Sequence, residues 1–137
     1  MTTGRAGAAH EVTIVAANPE TLDGLQAYLS GAGIVARCAR DLDACKKAAS
    51  ARTLAVVVFP DDFRWEEVVE TLAELAEHHP RALPVLVTAH PQRCEELRAV
   101  EEALIVPRPV WGWTILDAIR GRIDRREGDV PARRKGG

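Results

Sequence analysis

Aromatic side chains are scarce in this sequence. Two Phe, one Tyr and three Trp make up 4% of its 137 residues, so any core has to be assembled from Val, Leu, Ile and Ala. Cysteine is nearly as sparse. Cys38, Cys45 and Cys94 are odd in number and none stands in C-x-x-C spacing, which argues for reduced structural thiols over a disulfide framework, a redox pair or a metal site. His78 and His79 are adjacent, so on a helix they point in different directions and do not share a metal ion. No apolar run approaches the roughly 20 residues that cross a bilayer. The first ten residues lack the apolar stretch of a signal peptide, and the expected location is the cytoplasm, with no membrane partner. An excess of one charge is missing too. The formal net charge of −2 gives no strong field for collecting nucleic acid, which is not an expected partner.

What is present is an ordinary globular mixture, 47% hydrophobic and 28% charged, of a length that suits one domain. Residues 1–9, small and polar with Gly4 and Gly7, read as a disordered leader, and residues 124–137 as a charged flexible tail. The tail carries Arg125, Arg126, Arg133, Arg134 and Lys135, but Glu127 and Asp129 interrupt it, and it is read as solvated. Too few residues follow 123 for a helix-turn-helix, so a DNA-binding output unit is not expected.

Between them, residues 10–123 alternate strand and helix five times. Val12–Val15 is a short apolar run; Asn18-Pro19-Glu20 then opens a helix whose Leu22, Leu25 and Leu29 share one face. Gly31 and Gly33 stop it. Residues 34–38 read as a second strand, and Asp41 caps a helix carrying Leu42, Cys45 and Ala49 inward. Residues 54–59 are apolar with no polar alternation, the pattern of a central parallel strand covered on both faces. After Pro60-Asp61-Asp62, the residues Trp65, Val68, Val69, Leu72, Leu75 and Ala76 define a third helix ending near Pro80. Residues 84–88 form a fourth strand, and Pro91 opens a helix containing Leu97 and Val100. Residues 104–106 form a fifth strand, broken by Pro107-Arg108-Pro109. Ile115, Leu116, Ile119 and Ile123 line a last helix. The pattern predicts an α/β fold: a doubly wound, flavodoxin-like, five-stranded parallel sheet of order 2-1-3-4-5 with helices on both faces. Its ligand crevice lies at the carboxyl ends of strands one and three.

The loops lining that crevice carry a specific likeness. Ile14-Val15-Ala16-Ala17-Asn18-Pro19, Pro84-Val85-Leu86-Val87-Thr88-Ala89 and Arg108-Pro109 occur in the order and near the spacing seen in receiver domains of two-component response regulators. The chain resembles that family over about residues 11–123. The resemblance implies an acidic magnesium-binding pair after strand one, a phosphoacceptor aspartate ending strand three, a Thr or Ser and a Lys that contact the phosphoryl group, and a switch aromatic on strand five. Here the acidic pair falls on Ala16 and Ala17, the acceptor on Phe59, the lysine on Arg108 and the switch position on Ile105. Only Thr88 matches. Magnesium binding relies on hard oxygen ligands and phosphoryl transfer on an oxygen nucleophile placed in line; Ala16, Ala17 and Phe59 supply neither. A pocket lined by these three is expected to be apolar and filled, with Phe59 contributing roughly 1.5–3 kcal/mol by burial.

Asp61 and Asp62 carry three readings. They cap the third helix near the positive end of its dipole, they contact a partner, or one of them is an alternative phosphoacceptor in an active atypical receiver. The last is disfavoured because a two-residue slip is expected to carry the carboxylate away from Thr88. Thr88 is read as structural. Arg108 pairs with Asp61 or Asp62, or reaches solvent. Val110-Trp111-Gly112-Trp113 opens the last helix, and two tryptophans one residue apart cannot both enter a core. Either they anchor an interface, or one covers the crevice while the other lies on Pro109.

The reading is a phosphorylation-independent pseudo-receiver, a small signalling adaptor of the two-component, phosphorelay setting. It binds a signalling protein partner, or itself, through the face made by helix four, strand five and helix five. No catalysis, metal or cofactor is expected. A small-molecule-binding flavodoxin-like domain is the alternative from another class; Ala16-Ala17-Asn18-Pro19 gives it no G-x-G-x-x-G phosphate loop.

Overall fold

A computed structural model describes residues 10–94, 103–107 and 112–121 of the chain. The leader 1–9, Leu97, Val100, Arg108, Pro109, Trp111, Ile123 and the tail 124–137 lie outside the described residues.

The elements follow the predicted alternation: β1 (Glu11–Val15), α1 (Pro19–Gly31), β2 (Val35–Ala39), α2 (Leu42–Ala48), β3 (Thr53–Val58), a 3₁₀ turn (Pro60–Asp62), α3 (Trp65–His78), β4 (Leu83–Thr88), α4 (Pro91–Cys94) and β5 (Leu104–Pro107), then α5 over 112–121. All strand pairings are parallel, and the sheet order is β2-β1-β3-β4-β5. This is the doubly wound order expected from the sequence.

Local chemistry sets the helix starts. The Asn18 side chain accepts a hydrogen bond from the Glu20 amide at 2.8 Å, and Pro19 occupies the first turn of α1, where its missing N–H costs nothing. Asp41 Oδ1 accepts from the Ala44 amide at 2.8 Å, a cap of the kind that contributes about 1 kcal/mol. At the other end of α1, Gly33 takes φ 85°, a conformation that favours glycine. The Ile34 amide still bonds back to the Leu29 carbonyl. Ile34 therefore belongs to the helix-ending turn, and β2 starts one residue later than the sequence run suggests.

Each central strand is covered on both faces, as its unbroken apolar run requires. Val12, Ile14, Ala16, Val57, Phe59, Val85 and Val106 pack under Leu22, Leu25 and Leu29 of α1 and Ile115, Leu116 and Ile119 of α5. Val15, Val56, Val58 and Leu86 pack under Leu42 and Cys45 of α2 and Val68, Leu72 and Leu75 of α3. Burial raises the Cys45 thiol to about 12, which leaves it protonated and inert. In α3 the buried stripe is Val68, Thr71, Leu72 and Leu75; Ala76, read as part of it, is exposed, because the helical phase turns it outward. Tyr28 of α1 lies against the start of α5. A Cβ placed on Gly112 would stand 3.1 Å from its ring, so the glycine between the two tryptophans permits this approach.

One core hydroxyl has no partner. Thr13 on β1 is fully buried and its Oγ1 makes no hydrogen bond. A buried, unsatisfied hydroxyl destabilises the native state. Thr13→Val removes it at nearly the same shape and is expected to raise the unfolding free energy by about 1 kcal/mol, read as a higher urea midpoint at unchanged slope.

Candidate functional site

The carboxyl edge of the sheet brings together the ends of β1, β3 and β4. β1 runs on into Ala16, which is fully buried and donates its amide to the Ala39 carbonyl. β3 runs on into Phe59, whose amide bonds the Val15 carbonyl at 3.1 Å. The Phe59 side chain is 4% exposed and shares its cluster with Ala16, Val57 and Val87. Hydrocarbon therefore occupies both strand ends. Ala17 departs from the sequence expectation. It is exposed and takes part through its backbone.

The two carboxylates after Phe59 define the site. Pro60–Asp62 winds as one 3₁₀ turn, with the Asp62 amide bonded to the Phe59 carbonyl and the Phe63 amide to that of Pro60. The turn folds the chain back over the strand ends. Asp61 accepts from Thr88 Oγ1 at 2.7 Å and from the Ala89 amide at 2.8 Å, one bond on each carboxylate oxygen. Asp62 Oδ2 accepts from the Ala17 amide at 2.9 Å. Adjacent acids thus pull opposite ways, one fastening the turn to β4 and the other to β1. Hydrogen bonds to an ionised acceptor contribute roughly 1.5 kcal/mol or less each at an exposed site.

Two expectations are corrected here. Asp61 and Asp62 do not cap α3: that helix begins after Arg64, with no side-chain capping bond, and Glu66 and Glu67 provide the acidic first turn. Asp61 also does not point away from Thr88. In a 3₁₀ turn successive side chains point about 120° apart, and this turn folds back over the strand ends so that Asp61 meets Thr88 and Asp62 meets Ala17.

Thr88 is 1% exposed and uses both sides of its hydroxyl, donating to Asp61 and accepting from the His90 amide at 2.9 Å. Ile105 is partly buried against the α2 and α3 side of the sheet, opposite Leu86 in the ladder. Thr88 lies two residues beyond Leu86 and so faces the same side. Trp113 is 55% exposed, while Arg108 and Trp111 lie outside the described residues. The sequence reading missed one further contact. The Arg93 guanidinium of α4 sits over the Trp65 ring, 5.1 Å from its centroid, tying the start of α4 to the start of α3. Among the described residues, no group of three His, Cys, Asp or Glu side chains is arranged to hold a metal ion.

No family profile and no curated sequence matches the chain. Solved structures do. A response regulator receiver domain protein from Clostridium thermocellum superposes with TM-score 0.73 at 15% identity, covering 86% of this chain and 97% of its own. The signal receiver domain of an HD domain-containing protein from Pseudomonas fluorescens Pf-5 gives 0.73 at 20%, covering 88% and 98%. An adenylate cyclase structure from Rhodopirellula baltica gives 0.74 at 14%, covering 92% and 96%. The chain has the fold of response regulator receiver domains, over nearly the whole of their length.

Replacing Phe59 with aspartate puts a carboxylate where the structure has a buried ring. Phe59→Asp is expected to lower the unfolding free energy by about 3 kcal/mol or more, measured by urea denaturation. A loss below about 1 kcal/mol contradicts the buried position of the ring.

Proposed function

We propose that the chain is a phosphorylation-independent pseudo-receiver, a signalling module that acts by contact and has no catalytic activity of its own. The observation that carries this reading is the burial of Phe59 beside Ala16 at the carboxyl ends of β3 and β1. A phosphoacceptor site uses a free carboxylate oxygen there, together with acidic ligands for a metal. The carboxylate that does lie close to Thr88, that of Asp61, has a hydrogen bond on each oxygen, which draws charge from both and lowers their nucleophilicity.

With the reaction centre silent, function rests on surface. The partner is a signalling protein or a second copy of the chain, and the docking face is that of α4, β5 and α5. Trp113 supports this choice by its exposure on α5, with Leu104 also exposed on the edge strand β5. Tryptophan is enriched among the residues that carry the binding energy of protein interfaces, and exposed apolar surface marks such sites.

A second reading has one observation in its favour: the 2.7 Å bond between Asp61 and Thr88 puts an acid within the crevice, as an atypical active receiver requires. One experiment separates the two. The full chain is incubated with acetyl phosphate and magnesium and its intact mass is followed. No phosphoryl increment is expected. An increment abolished by Asp61→Asn or Asp62→Asn establishes the second reading instead. On the surface side, Trp113→Ala is expected to weaken the native partner complex by ~30-fold or more, the effect of truncating an interface anchor. Equal affinity moves the contact to another face.

A further inference from the structure

The bonds around Thr88 run in series. The Thr88 hydroxyl donates a hydrogen bond to the Asp61 carboxylate at 2.7 Å, and the same hydroxyl oxygen accepts from the His90 amide at 2.9 Å. The Ala89 amide, between them in sequence, bonds the other Asp61 oxygen at 2.8 Å. The last residue of β4 and the two residues that connect it to α4 are therefore fixed by one acid from another loop, directly for Thr88 and Ala89 and through the hydroxyl for His90. The His90 carbonyl also accepts from the Arg93 amide at 3.1 Å, the bond that opens α4. Ala89 and His90 are exposed, and α4 begins directly afterwards at Pro91, which donates no amide. The neighbouring Asp62 anchors the same 3₁₀ turn to the Ala17 amide, so the acid that grips β4 is itself held to β1.

A hydroxyl that donates to an anion is oriented by it. Its hydrogen is committed to the carboxylate, its lone pairs point elsewhere, and the bond it accepts is strengthened by polarisation. Without the anion, the Thr88 hydroxyl is free to rotate and the His90 amide loses a fixed acceptor. The charge on Asp61 thus bears on the connection that leads into α4, a helix that lies against β5.

We propose that Asp61 is a built-in latch: its carboxylate, seated on the Thr88 hydroxyl and the Ala89 amide, holds the β4–α4 connection in one conformation without any added phosphoryl group. The latch goes beyond the interaction reading and does not rest on it, since its readout is the connection itself, whatever the chain binds.

Amide hydrogen exchange of the full chain, followed residue by residue by NMR, tests this. In Asp61→Ala, the Ala89 and His90 amides are both expected to exchange at least ~10-fold faster than in the wild type, while Ile14 in the core keeps its protection. In Thr88→Val, which keeps Asp61 for the Ala89 amide, the acceleration is expected at His90 and not at Ala89. Asp61→Asn, of the same shape with one acceptor oxygen, is expected to lie between wild type and Asp61→Ala; it also serves if the alanine variant folds poorly. Unchanged His90 exchange in both Asp61 variants, with acceleration in Thr88→Val alone, overturns the proposal, because the hydroxyl then holds His90 without the acid. Equal acceleration of both amides in Thr88→Val also overturns it, because Asp61 then does not hold Ala89 by itself.

Discussion

The architecture at the carboxyl edge of the sheet follows from one constraint: the ends of β1 and β3 are filled with hydrocarbon. Phe59 and Ala16 are buried against α1 and α5, and a charge placed among them would lose its hydration with no partner to replace it. Acid is displaced to the next turn of the chain, where Asp61 and Asp62 reach backbone and hydroxyl donors from opposite sides. The charge that remains at the crevice works as a fastening. It closes the loops onto one another rather than presenting oxygens to a ligand.

The opposite end of the sheet is fastened by similar means. Glu11, at the start of β1, is largely buried and pairs with Arg37 of β2 at 3.1 Å while accepting from Ser50. On the α2 and α3 side, Lys46 reaches Glu74 and Asp43, and its bond to Glu74 raises its basicity. The Lys46 pairs are open to solvent and contribute little individually. The stability of the domain rests on the two aliphatic layers, which few aromatics help to fill, and the polar contacts choose among loop arrangements that the layers alone would leave open.

Most of the fold is legible in the sequence because its signals are local. The β-branched run ending at Phe59 reads as a strand buried on both faces, and Asn18 and Asp41 announce helices through side chains that reach their own backbone two or three residues on. Phe59 and Thr88 are placed correctly because they end strands, where the direction of a side chain follows from alternation. The carboxylates are different. Where Asp61 and Asp62 point depends on how tightly the chain winds after Pro60, and a 3₁₀ turn sends them to two different strands. The pattern of acids ahead of an apolar helix also suits a cap, which is why the capping reading is attractive and why only the folded geometry removes it. Arg93 over Trp65 and Tyr28 over Gly112 are contacts between distant segments, and no local pattern announces them.

The central claim is that the crevice is shut by the chain's own side chains. The most direct measurement is an NMR titration of the full chain with magnesium and beryllofluoride, a non-covalent mimic of an aspartyl phosphate. The account predicts that the amides of Ala17, Phe59 and Ala89 stay in place at saturating reagent. Saturable shifts of these amides together would contradict it, since they require a site open to metal and phosphoryl at the ends of β1, β3 and β4.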